Sequence, residues 1–187
     1  MGKDVHVALL RGVNVGGKHR LAMADLAAMF AEAGCRDVRT YIQSGNVVFR
    51  AGKTLARAVP ERVSRSIAET HGFDAPVVTR TAAELREIVR NNPFLTRGAD
   101  VKALHVVFLR DRPAKAAVAS LDPTRSFPDE FALRGRDVYL RCPNGVARTR
   151  LTTQYFDSRL QTVSTARNWN TVLKLLEMAG EPAATVG

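Results

Sequence analysis

Cysteine is scarce: Cys35 and Cys142 are the only two in 187 residues, and neither has a second Cys or a His at metal-ligand spacing. That excludes a disulfide scaffold and argues against a zinc site, so both read as buried, reduced thiols. No run approaches 18 apolar residues, which leaves nothing to span a membrane. Met1-Gly2-Lys3-Asp4 leads into a short apolar strand and not a long apolar stretch, so no secretory signal is expected. The expectation is a cytoplasmic protein with no membrane partner. Lysine is also rare, supplying only 6 of the 28 cationic side chains against 22 arginines. Histidines have no partner at ligand spacing: His6 and His105 sit mid-strand and His71 ends a helix. Carboxylates are scattered, so no acid–base pair stands out. Neither a metal nor a cofactor is expected.

What remains is ordinary for a globular chain: 45% apolar and 25% charged residues exclude disorder and collagen-like repeats. The unusual number is the net charge of +10. Anionic partners are therefore the first question, although an arginine-biased composition would raise the total without selection for function. There is no basic tail. Residues 134–174 do concentrate Arg134, Arg136, Arg141, Arg148, Arg150, Arg159, Arg167 and Lys174 against Asp137 and Asp157 alone.

Alternation over Val5–Leu10 predicts a strand, with Val5, Val7 and Leu9 on one face and His6 and Ala8 on the other. A helix from Met23 carries Leu26, Met29, Phe30 and Ala33, with Gly34 at its end. Val38–Ile42 and Asn46–Arg50 read as strands around a Gln43-Ser44-Gly45-Asn46 turn. Leu55, Val59, Val63 and Ile67 mark a helix ending at His71-Gly72, followed by a strand at Ala75–Thr79. This order is the ferredoxin-like β-α-β-β-α-β pattern. Thr81-Ala82-Ala83-Glu84 is a capping box for one more helix, which Asn92-Pro93 ends. The pattern then restarts: a strand at Ala103–Leu109, a helix opened by Pro113, a hairpin of Phe131–Leu133 with Asp137–Arg141, and a last helical region over Leu151–Leu160 and Trp169–Leu176. The expected fold is α+β, two ferredoxin-like (βαββαβ-type) units with antiparallel or mixed sheets. Residues 1–95 form the first unit and 96–187 the second, related by topology with little residue identity.

Three segments carry possible chemistry. Arg11-Gly-Val-Asn-Val-Gly-Gly-Lys-His-Arg20 follows a strand, and its glycines free backbone N–H groups to face an anion beside Arg11, Lys18 and Arg20. It fits G-x-x-x-x-G-K, but His19 replaces the Ser or Thr of a phosphate loop and the helix begins too late. The bland alternative is a basic loop joining strand to helix. Ser44 lacks the elbow of a nucleophile, so Gln43-Ser44-Gly45-Asn46 is either a turn or a polar wall beside that loop. Thr165-Ala-Arg-Asn-Trp-Asn-Thr171 reads as the opening of the last helix, where free N–H groups and Arg167 would face an anion. The competing reading is that Thr165 or Asn168 caps the helix and Trp169 fits a core. Arg134-Gly-Arg-Asp-Val-Tyr-Leu140 faintly matches an RNA-binding strand but lacks its aromatic pair.

Ala8-Leu-Leu-Arg-Gly-Val-Asn-Val-Gly-Gly-Lys18, Asp37-Val-Arg-Thr-Tyr-Ile-Gln-Ser-Gly-Asn-Val-Val-Phe49 and Thr165-Ala-Arg-Asn-Trp-Asn-Thr-Val172 together resemble the bacterial family called domain of unknown function 1697. Ala166 departs from a commoner Thr. The resemblance implies an α+β fold with ferredoxin-like units and no established activity. The reading favoured by the residues is a phosphate-recognising binding protein for nucleic acid or a nucleotide. Arg11, Lys18 and Arg167 would contact phosphate, Gly16 and Gly17 would present N–H groups, and Asn14, Ser44, Asn46, Asn168 and Asn170 would bond sugar or base. An enzyme on a small anionic metabolite and a plain interaction module stay open beside it.

Overall fold

The computed structural model describes residues 4–180. Contacts divide the chain into a first unit that runs to Arg86 and resumes at Leu175, and a second unit, Glu87–Lys174. The first contains β1 (Asp4–Leu10), α1 (Met23–Glu32), β2 (Arg36–Tyr41), β3 (Asn46–Ala51), α2 (Lys53–His71) and β4 (Val77–Thr81), which runs straight into α3 (Ala82–Arg90), a helix whose residues from Glu87 count with the second unit. The second contains β5 (Leu104–Leu109), α4 (Lys115–Ala119), β6 (Glu130–Arg134), β7 (Asp137–Arg141), α5 (Thr153–Leu160) and β8 (Ser164–Asn168), which runs straight into α6 (Trp169–Met178), a helix whose residues from Leu175 count with the first unit. Each unit has a four-stranded sheet, β2-β3-β1-β4 and β6-β7-β5-β8, with every neighbouring pair antiparallel. This is the ferredoxin-like order twice.

Helix α2 has the apolar stripe its sequence promises, burying Ala56, Val59, Val63 and Ile67, and it ends on Gly72 in the left-handed conformation. With Phe30 of α1 it packs on Ala8, Leu10, Val47, Phe49 and Val77 of the sheet. In the second unit Tyr155, Phe156 and Leu160 of α5 pack on Val107, Leu109, Val138 and Leu140. The capping box forms as expected: the Thr81 N–H donates to Glu84 Oε2 at 2.8 Å, and Thr81 Oγ1 accepts from the Glu84 N–H at 3.1 Å.

Strand β1 forms as expected and is buried on both faces, with Val7 and Leu9 on one and Ala8 and Leu10 on the other, so alternation does not identify a core face. Three local expectations need correction. Strand β4 begins two residues later than expected, at Val77. Pro113 lies outside α4, whose cap is Ala114. The largest change is at the end of the second unit, where Ser164–Asn168 is a strand on the edge of the sheet and not the opening of a helix.

The hydrogen-bond register exposes a correspondence between the units that linear comparison hides. His6-Val7 lies opposite Thr81-Arg80, and His105-Val106 lies opposite Asn168-Arg167. Leu10 N–H donates to Gly45 O and Arg11 N–H to Pro76 O; in the second unit Leu109 donates to Arg136 O and Arg110 to Val163 O. Arg80 and Arg167 each donate from Nη1 to the preceding carbonyl, at 2.8 and 2.7 Å. Thr81 and Asn168 each cap the helix that follows. The two units are copies of one hydrogen-bonded frame.

Candidate functional site

In the first unit the glycine-rich loop is held by its own side chains. Asn14 Nδ2 donates to the carbonyls of Leu21 at 2.9 Å and Gln43 at 2.8 Å, and its Oδ1 accepts from the Leu21 N–H at 2.9 Å. The amide is thus spent clamping the loop to the 43–46 turn. Val15 and Lys18 form an isolated bridge with Gly16 and Gly17, both at positive φ, at its tip. Such a pair is a tight hairpin turn and not the strand-to-helix cradle of a phosphate loop. His19 stacks on Phe73 with ring centroids 4.6 Å apart and fastens the other limb. Lys18 and Arg20 are exposed and Arg11 is half-buried. Asn46 is buried, and its Nδ2 donates to Tyr41 O and Ser44 Oγ. A shallow depression of about 370 Å³ is lined by Asn14, Gly17, Arg20, Leu21, Ala22 and Gln43.

Arg167, Asn168 and Asn170 belong to the second unit. Alternation along β8 sends Ser164, Ala166 and Asn168 to the face carrying His105 and Val107, and Thr165 and Arg167 to the other. The helix-side assignment is fixed by Ser164 Oγ, which donates to Asp157 of α5. Arg167 is therefore not at a helix N-terminus beside Asn168: its guanidinium lies on the opposite face, donating to Thr165 Oγ1 at 2.8 Å. Desolvation lowers its pKa to about 10, which still leaves it charged at neutral pH. Asn168 caps α6 through Oδ1, Trp169 is core, and Asn170 is exposed in the first turn.

On the helix side of the second sheet lies a cavity of about 340 Å³, lined by His105, Val107, Leu140, Val146, Thr149, Leu151, Thr152, Thr153, Gln154, Ala166, Arg167 and Asn168. By alternation Arg167 can offer it only backbone. The floor is sheet and one wall is the N-terminus of α5, capped by Thr152, whose hydroxyl accepts from the Tyr155 N–H. The N–H groups of Thr153 and Gln154, one turn ahead of any carbonyl within the helix, have no intrahelical acceptor. His105 Nδ1 is buried and has no hydrogen-bond partner. Burial lowers the His105 pKa, the Ala103 carbonyl opposing in part, so the ring is neutral near pH 7. His105 lines the cavity, although its Nδ1 is closed off from solvent, so the cavity joins an imidazole ring to amide donors and a helix's positive end.

The first unit shows why this cavity exists. There the position opposite His6 is Phe49, stacked on the imidazole at 5.4 Å and fully buried. Opposite His105 the residue is the smaller Leu140. In addition, α2 starts two residues after β3, whereas residues 142–152 intervene between β7 and α5. A smaller side chain and a longer connection open in the second copy what is filled in the first. Sequence reading missed His105, Thr149, Thr152, Thr153 and Gln154. The available signal was the repeated His-Val pair, followed by Phe in one hairpin and Leu in the other.

Among the described residues no three His, Cys, Asp or Glu side chains are grouped to hold a metal ion, and no helix is long and apolar enough to cross a membrane. Residues 4–139 match the family described as "Protein of unknown function (DUF1697)". No curated protein matches the chain. Among solved structures, the conserved bacterial protein SP0830 from Streptococcus pneumoniae is similar at 22% identity, covering 94% of this chain and 98% of its own, with a TM-score of 0.70. That likeness concerns the fold.

Proposed function

For a chain that belongs to the DUF1697 family of proteins of unknown function, we propose a phosphate-recognising binding protein whose ligand is a nucleotide or a nucleic-acid terminus. The observation that carries the reading is the second-unit cavity, where the His105 ring and the N-terminus of α5 line one space. Helix N-termini attract phosphate through free N–H groups and the dipole. Asn168 and Gln154 add amide groups. About 340 Å³ lies in the range of small-molecule sites and suits a sugar phosphate. Calorimetry with inorganic phosphate, ribose 5-phosphate and adenosine monophosphate tests it. Saturable binding weakened by His105→Ala supports the reading; absence of binding, or binding indifferent to that change, refutes it.

The first-unit residues support a separate contact to a polyanion. There Arg11 and Lys18 would meet backbone phosphates beside the Gly16-Gly17 turn, while Ser44 and Asn46 shape the neighbouring turn. Such binding must weaken steeply with salt and lose slope in Lys18→Ala. A second reading, an enzyme on a small anionic metabolite, is favoured by one observation: an imidazole that burial keeps neutral is part of the cavity lining.

A further inference from the structure

Phe127 is 90% exposed, far more than any other large apolar side chain described. A mobile loop would explain an exposed ring, but this loop is tied down on both sides. Ser126 Oγ donates to Asp129 Oδ2 at 2.8 Å and accepts from the Arg150 N–H at 2.9 Å. Arg125 Nε donates to the Arg150 carbonyl at 2.9 Å, and its guanidinium sits 4.1 Å from the centre of the Tyr155 ring. The Asp122 N–H in turn donates to the Tyr155 hydroxyl. Solvent exposure of an aromatic ring on a fixed loop forfeits burial energy with no gain to the fold, which marks a contact surface.

The loop is also fastened to the cavity. Ser126 Oγ lies 3.4 Å from Thr149 Oγ1, and Thr149 lines the cavity wall. Phe127 is the next residue, one Cα step of about 3.8 Å further. Arg148 and Arg150, both exposed, flank the same segment. An exposed aromatic ring on a loop bonded to an arginine-bearing cavity wall has the parts by which proteins hold single bases, a stacking face and cations for the phosphates. We propose that Phe127 is a stacking platform for the nucleobase of the cavity's ligand, with Arg148 and Arg150 beside its phosphates. This rests on the phosphate-binding reading of the cavity and adds to it the nucleobase.

The test compares adenosine monophosphate with ribose 5-phosphate by calorimetry on wild-type protein, Phe127→Ala and Phe127→Trp. One base stacked on an aromatic ring is worth about fivefold in affinity or more. Phe127→Ala must lose that factor for adenosine monophosphate while ribose 5-phosphate binds as before. Phe127→Trp must restore it, with tryptophan quenching on binding, because Trp169 is buried. Equal affinities of the two ligands for wild type, or equal losses in Phe127→Ala, overturn the platform while leaving the phosphate site standing. Failure of both ligands to bind wild type overturns the phosphate site and the platform with it. A 5′-phosphorylated oligonucleotide separates the sources: it outcompetes the mononucleotide if the base comes from a strand, and does not if the ligand is free.

Discussion

Replacing Gly45 by Ala strikes the point where the 43–46 turn meets the end of β1. A Cβ there would lie 2.6 Å from Val13 Cγ2 and 2.7 Å from Leu10 Cβ, inside the contact distance of any two carbons, and φ is +71°. Neither neighbour can yield, because Val13 and Leu10 are both buried in the first-unit core and Leu10 N–H is bonded to Gly45 O at 2.8 Å. Left-handed backbone costs an L-residue roughly 1–2 kcal/mol, and forcing extra carbon into a packed core about 1–3 kcal/mol more. The sum, about 2–5 kcal/mol, corresponds to roughly 4–20 °C in Tm for a chain of this length. Gly16→Ala is the control: its φ is +57°, yet nothing lies within 4 Å of the added Cβ, so only the backbone cost applies. Thermal melts and urea midpoints of the two variants must separate, with Gly45→Ala clearly the lower. Equal melting temperatures would show that the turn does not pack on Leu10 and Val13 as described.

Asn14→Ala removes three side-chain hydrogen bonds at a net value of about 1 kcal/mol each, so urea titration should find a loss of roughly 2–4 kcal/mol. A loss below half a kcal/mol would mean that Asn14 is not the clamp. Stability must also fall on acidification below pH 6.5, the ordinary histidine value. Burial holds His6 and His105 neutral in the fold, so the unfolded chain takes up the extra protons and is favoured as pH drops toward their lowered values. The double variant His6→Gln/His105→Gln should flatten the urea midpoint between about pH 7.5 and 5.5, and a wild-type midpoint that rises over that range contradicts the burial.

Periodicity revealed α2 and both hairpins because one-sided burial leaves its mark on spacing. It gave no core face for β1, whose two faces are equally buried, and it missed β8 because Ser164-Thr165-Ala166-Arg167-Asn168 has no apolar alternation: its buried positions are polar or small and bonded within the unit. The polar motifs were visible, but their roles depend on direction. Asn14 looks available until Leu21 and Gln43 are seen to occupy it, and Arg167 looks like a neighbour of Asn168 until the pleat turns them apart. The cavity was invisible for a different reason. It is created by a Leu where the sister copy has Phe, a comparison that requires the hydrogen-bond register.

That substitution also supplies the most direct test. Leu140→Phe would restore in the second unit the ring that covers His6 in the first. Ribose 5-phosphate titrated into this variant by calorimetry, with Tm measured alongside, must bind at least about tenfold more weakly, a change of about 1.4 kcal/mol, while Tm holds. Wild-type affinity in a folded Leu140→Phe protein would contradict the assignment of the ligand site to the cavity beside His105.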